Sequence, residues 1–205
     1  MSIYYAVNKR EQQHMSCFVS TGWDLLRAIF EHLPEKIINH SKRVENITSI
    51  MVKHMPKELL PEKITFENYC LALSKGAYYH DIGVYLAGNN VKLRPASAEK
   101  LLVEHWHMDV SLPFSRVLFS TARNCCERYD GKGYPDSLIG ECVPFHASLC
   151  GIADAVDMIM DGKKLNERKA KKAADYILLN SSILFRPDAV HCFELAEDKI
   201  FDIYK

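Results

Sequence analysis

The sequence predicts an all-α fold, and three observations carry that expectation. Before residue 76 the apolar residues recur at helical rather than alternating spacing, and further helical stretches follow. No run of residues between turn signals reads as a strand, and no internal repeat is present. Strong punctuation is confined to one region, Asp130-Gly131-Lys132-Gly133-Tyr134-Pro135-Asp136, where two glycines and a proline cannot continue a helix.

The elements follow in order. Residues 1–20 read as a loosely organised N-terminal extension, and 21–205 as a single helical domain with no clear linker. Trp23, Leu26, Ile29, Phe30 and Leu33 share one helical face that ends at Pro34. Ile37, Val44, Ile47, Met51 and Val52 continue the pattern until Pro56. Phe66, Cys70, Leu73, Ala77 and His80 make a third segment that stops at Gly83. Further helices are expected over 95–108, 113–128, 144–160, 167–180 and 188–203, with the glycine-rich turn between the fourth and fifth of these boundaries, near Glu127 and Pro144. The run from Lys163 to Lys172 reads as a solvated basic face, with phosphate or partner binding as the alternative.

Composition narrows the function. Lys+Arg and Asp+Glu are 26 each in 205 residues, which argues against the basic face that nucleic-acid binding needs. No apolar run is long enough to cross a bilayer, so no membrane role is expected. The first residues lack the pattern of a secretory signal. Seven cysteines, irregularly spaced and without a CxxC pair, fit reduced thiols in a cytoplasm better than a disulfide framework.

His80-Asp81 is the sharpest chemical feature. Neutral imidazole and ionised carboxylate both suit divalent cations, although a lone dipeptide is as well explained by a capped turn. Its companions strengthen it: His40 in the preceding helix, His105 in the following segment, and Asp154 amid Leu149, Cys150, Ile152, Ala153 and Val156. A carboxylate in such apolar company needs an ionic partner or a metal. Several helices delivering such ligands to the middle of a bundle can build a metal site.

The order His40, His80-Asp81, Asp154 resembles the signature of the HD-domain phosphohydrolase superfamily. The segments HDIG (80–83), ERYDGKGYP (127–135) and LCGIADAVD (149–157) resemble its HD-GYP branch more specifically, over roughly residues 38 to 165. The resemblance implies an HD-domain helical bundle with an ordered Gly-Tyr-Pro loop. It implies a metal-dependent phosphodiesterase, typically one that hydrolyses cyclic di-GMP in bacterial signalling. Asp81 would then bridge two cations, with His40, His80 and Asp154 completing one site and His105 helping the other. Iron or manganese is favoured by that likeness, and zinc also accepts such ligands. Arg128, Tyr134 and Lys163 would face the nucleotide.

Three departures from the family pattern bear on activity. Val84 stands where HD-GYP proteins carry a lysine beside the phosphate. Cys125-Cys126 precede Glu127-Arg128 where two histidines are usual; these thiols are either soft ligands or inert fillers of the vacated space. Lys36, one helical turn before His40, occupies the position of a third-metal glutamate. Two readings therefore stand: a phosphohydrolase with one or two metals acting on a cyclic dinucleotide or another phosphoester, or a catalytically degenerate signalling module, dependent on a partner protein, that keeps a metal or nucleotide site without turnover.

Overall fold

The computed structural model describes residues 22–105 and 111–205. The expected extension 1–20, the end of the expected helix at 106–108 and the side chain of Trp23 lie outside the described residues. Within them the chain is all-α. Nine helices are described: α1 (Gly22–Glu31), α2 (Glu35–Met51), α3 (Phe66–Tyr78), the single turn α4 (Val84–Ala87), α5 (Arg94–His105), α6 (Pro113–Asn124), α7 (Phe145–Met160), α8 (Glu167–Leu179) and α9 (Pro187–Asp202). The described residues contain no strand, only two isolated bridges, Asp130 with Ile139 and Ser181 with Phe185. None of the described helices is long and apolar enough to cross a membrane.

Local chemistry sets the helix ends. The Thr65 hydroxyl accepts the Asn68 N–H at the start of α3, and the Asn166 side chain accepts the Lys169 N–H at the start of α8. Pro113 and Pro187 open α6 and α9, where a missing N–H costs nothing. Asp161, in the left-handed region, closes α7.

Amphipathic faces do the rest. Val44, Ile47 and Met51 of α2, Leu73 and Ala77 of α3, Leu118 and Ala122 of α6, and Leu149, Ile152 and Val156 of α7 are all fully or nearly fully buried. Through these faces α3 packs on α2 and α6, and α7 packs on α2, α6 and α9. Burying the Val, Leu, Ile and Met side chains among them is worth about 1.5–3 kcal/mol each before ordering costs. The basic run after Asp161 is solvated as expected, with Lys164, Arg168, Lys171 and Lys172 exposed.

Two expected boundaries shift, and both shifts matter for the site. The third segment leaves helical form at Tyr78 rather than Gly83, which puts His80 and Asp81 on the turn that follows α3. The helix expected over 113–128 ends at Asn124, because Glu127 is engaged in closing the glycine-rich loop.

Gly83 shows why the turn after α3 has its shape. A Cβ at this residue would lie 2.0 Å from the Arg94 carbonyl oxygen and 2.7 Å from the Ala98 N. The start of α5 is therefore pressed directly against the His80-Asp81 turn, while Ile82 anchors the same turn in the core. Gly83→Ala is expected to cost about 3 kcal/mol, as overpacking against rigid backbone does, and to lower the denaturation midpoint without changing the slope.

Candidate metal centre

Two helices deliver matching stripes to one cavity of about 690 Å³. From α2 come Lys36, Asn39, His40 and Arg43, and from α7 come Asp154, Asp157, Met158 and Asp161. Both sets follow the i, i+3, i+4, i+7 spacing of a single helical face. The turn after α3 adds His80 and Asp81, the start of α5 adds Arg94 and Pro95, and the loop after α6 adds Cys125, Cys126 and Tyr134.

Three of the side chains expected from the sequence converge. One ligand atom from each of His40, His80 and Asp154 lies within 4.8 Å of the other two. His40 Nε2 is 3.0 Å from Asp154 Oδ1, and the two imidazole rings meet edge to face with centroids 5.4 Å apart. Each histidine is held by its other nitrogen: His40 Nδ1 bonds Asp157 Oδ2 at 2.7 Å, and His80 Nδ1 donates to the Ala77 carbonyl at 2.7 Å. His80 Nε2 is thereby left as the lone-pair atom. It is buried and without a hydrogen-bond partner. An orphaned acceptor of that kind is costly in a protein interior, and a cation between it, His40 Nε2 and Asp154 would satisfy it. The donor set, two imidazoles and a carboxylate, suits iron, manganese or zinc.

Without a cation, His40 carries the balancing charge. Burial pulls its pKa down, but hydrogen bonds to Asp154 and Asp157 outweigh burial and raise it to about 10. Asp157 shows the opposite sign: burial pushes it up, and the bonds to His40, Arg43 and Tyr204 bring it down to about 2.

The other expected site residues separate into two groups. Asp81 lines the cavity with its Oδ2 3.9 Å from His80 Nε2, beside the trio rather than within it. Cys125 and Cys126 line the cavity too, with their sulfurs 3.9 Å apart. For Cys125 the bond from Cys126 pulls the thiol pKa down, but Cys150 and burial push it well above the ordinary range. For Cys126 the bond with Cys125, and then burial, push it up. In the metal-free chain both are therefore protonated thiols. Tyr134 reaches the cavity.

Arg128, Lys163 and His105 are placed elsewhere. The Arg128 guanidinium is bidentate to Asp130 (3.0 and 2.6 Å) and locks the loop. The Lys163 ammonium sits 2.7 Å from Asp161. His105 closes α5, eleven residues beyond Arg94, about 16 Å along a helix axis, and is not among the cavity-lining residues.

The loop itself is built from hydrogen bonds. The buried Glu127 carboxylate accepts the Asp136 and Leu138 N–H groups at 2.6 and 3.0 Å. Asp136 in turn receives Arg123 and Asn124, and Arg123 also pairs with Glu99 of α5. Gly133 lets the backbone fold onto itself: a Cβ there would lie 2.3 Å from the Arg128 N. The Tyr134–Pro135 peptide is cis.

The chain is similar to cyclic di-GMP phosphodiesterases. No family model matches it. It is 29% identical over 129 residues to the cyclic di-GMP phosphodiesterase response regulator RpfG of Xanthomonas campestris pv. campestris, an alignment covering 58% of this chain and 34% of that protein. A cyclic di-GMP phosphodiesterase of Vibrio cholerae is 27% identical over 66% of this chain and 31% of its own. One of Thermotoga maritima is 23% identical over 89% of this chain and 50% of its own. The chain thus spans a third to a half of the length of these relatives. Among solved structures, a cyclic GMP-AMP-specific phosphodiesterase of V. cholerae (V-cGAP3) superposes with a TM-score of 0.57 at 14% identity, over 82% of this chain and 50% of that one. That likeness establishes a shared helical fold.

Sequence reasoning missed the support beneath the trio. Asp157, at 2% side-chain exposure, binds His40, both Nε and Nη2 of Arg43 (2.6 and 3.0 Å) and the Tyr204 hydroxyl (2.6 Å). Its spacing from Asp154, three residues on an apolar helix, was the available signal.

Proposed function

We propose that this chain is a metal-dependent phosphodiesterase of the HD-GYP type, acting on a cyclic dinucleotide with cyclic di-GMP as the first candidate. The observation that carries the reading is the convergence of His40, His80 and Asp154 at the wall of a cavity large enough for a nucleotide. The likeness to cyclic di-GMP phosphodiesterases supports the substrate class.

His40 and His80 would hold the cation through Nε2, each ring fixed through Nδ1, with Asp154 as the carboxylate ligand. When bound, the cation supplies Lewis-acid polarisation of a phosphoryl oxygen and activation of water. Asp81, beside His80, presents a carboxylate to the same space and is placed to orient the attacking water or to join the ligand set. Tyr134 borders the cavity from a loop pinned by Glu127 and Arg128, so its ring meets a ligand in a prepared position. The single three-residue group of His40, His80 and Asp154 favours one firmly held cation over two.

The test is conversion of cyclic di-GMP to linear dinucleotide by protein supplied with Mn²⁺ or Fe²⁺, followed by chromatography. Wild type is expected to turn over, and Asp81→Ala to lose at least about a hundredfold in rate. Tight binding of cyclic di-GMP without product would instead establish the degenerate signalling module, a reading that Val84 and Cys125-Cys126, in place of the usual lysine and histidines, favour.

A further inference from the structure

We propose that Lys36 and Arg94 form the anion clamp of this cavity and receive a phosphodiester group of the ligand. The assignment rests on the phosphodiesterase reading for its substrate class, but on the cavity's own charge inventory for its residues.

The cations singled out from the sequence are already spent: Arg128 on Asp130 and Lys163 on Asp161. Arg43 lines the cavity, yet its Nε and Nη2 are both taken by Asp157. Arg94 remains, and with it Lys36, which acts on Asp161 only at a distance and shares that carboxylate with Lys163 and Lys169. Both line the cavity; Arg94 bonds a backbone carbonyl rather than a carboxylate, and Lys36 faces Asp161 without a close ion pair among the described residues. They approach from different elements, Lys36 one helical turn before His40 on α2 and Arg94 at the start of α5.

Arg94 is also positioned. Its Nε donates to the Gly88 carbonyl at 3.1 Å, which fixes the guanidinium plane and leaves the Nη groups for a ligand. The absence of a Cβ at Gly83 brings the Arg94 backbone against the turn that carries His80 and Asp81. The cavity needs such cations, since Asp81 and Asp154 face it and would repel a phosphodiester, and Val84 offers no ammonium. Val91 and Met158, 50% and 68% exposed, stand on the same lining as apolar surfaces. An anionic centre flanked by planar bases matches that arrangement, and Arg supplies the bidentate fork that phosphate geometry favours.

The experiment is titration calorimetry of the full Mn²⁺-loaded chain with two probes, cyclic di-GMP and inorganic phosphate. Wild type is compared with Arg94→Ala, Arg94→Lys and Lys36→Ala, and metal content and thermal melting are measured on each. Arg94→Ala is expected to weaken both probes roughly tenfold or more, as loss of a charge-assisted contact does. Arg94→Lys should recover part of that loss. Lys36→Ala should weaken both probes about threefold, since its ammonium is solvated. Metal content should match wild type in all three. Wild-type affinity for both probes in Arg94→Ala and Lys36→Ala overturns the clamp, as does failure of wild type to bind either probe. Binding that depends on Arg94 in a wild type without turnover supports the clamp while the phosphodiesterase reading fails. Turnover by wild type with unchanged binding and rate in both variants sinks the clamp alone.

Discussion

On the proposed phosphodiesterase function, His80→Ala is expected to abolish cation binding and to lower cyclic di-GMP turnover by at least about a thousandfold. The imidazole is fixed by its Nδ1 bond to Ala77 and offers a buried Nε2 that has no other partner. With that ligand gone, His40 and Asp154 remain as a hydrogen-bonded pair 3.0 Å apart, complete without a metal. Metal content per chain after dialysis, together with the melting temperature with and without added Mn²⁺, checks the expectation. A bound ion stabilises the folded chain by mass action, so wild type should melt higher with Mn²⁺ and His80→Ala should not. The Mn²⁺ response separates a ligand from a packing residue. A histidine that serves packing would lower the metal-free melting point and leave the Mn²⁺ response intact. One that serves a cation should lose the Mn²⁺ response whatever the metal-free melting point does once the Nδ1 bond to Ala77 is gone. An unchanged metal content and an unchanged Mn²⁺ response in the variant would refute the centre.

The sequence carried most of the fold because its helices announce themselves locally. Proline at 34, 56, 113 and 187 and the period of the apolar faces mark their ends to within a few residues. His40, His80 and Asp154 were legible because each stands out from apolar neighbours, and the structure brings them together. What stayed hidden depends on pairing across distance. Arg128 and Lys163 look like ligand-binding cations until Asp130 and Asp161 are seen to hold them. Asp157 looks like one more acidic residue on a helix, and its partners come from position 43 and position 204. Arg94 gave no signal at all, since its value lies in the absence of a carboxylate beside it and in the close approach that Gly83 permits. Spacing along one element is encoded in that element, whereas charge neutralisation belongs to the packed whole.

Asp157→Asn should therefore be the most damaging substitution outside the ligands themselves. It keeps the shape but leaves Arg43 and His40 facing a neutral amide, and breaking a buried ion pair by removing one partner costs about 3 kcal/mol or more. For a chain of this size that corresponds to a fall of roughly 6–12 °C in melting temperature. The pH dependence of the metal-free protein gives the variant a signature. Asp157 is lowered from 3.8 to about 2 in the folded chain, so the stability it contributes is complete above about pH 4 and is lost as pH falls through 2. His40 is raised from 6.5 to about 10, so its contribution is complete below about pH 6.5 and is lost as pH rises through 10. Wild type should thus show its largest advantage over Asp157→Asn between about pH 4 and 6.5, with the gap narrowing on both sides. Urea midpoints across that range measure it, and a gap independent of pH would show that the pairing does not operate. The same substitution leaves His40 Nδ1 with a neutral amide in place of the carboxylate, and weakening a partner that orients a ligand lowers metal affinity, up to the roughly 10–100-fold typical of its loss. Mn²⁺ titration of the variant should find the site weakened but present, in contrast to the complete loss expected for His80→Ala.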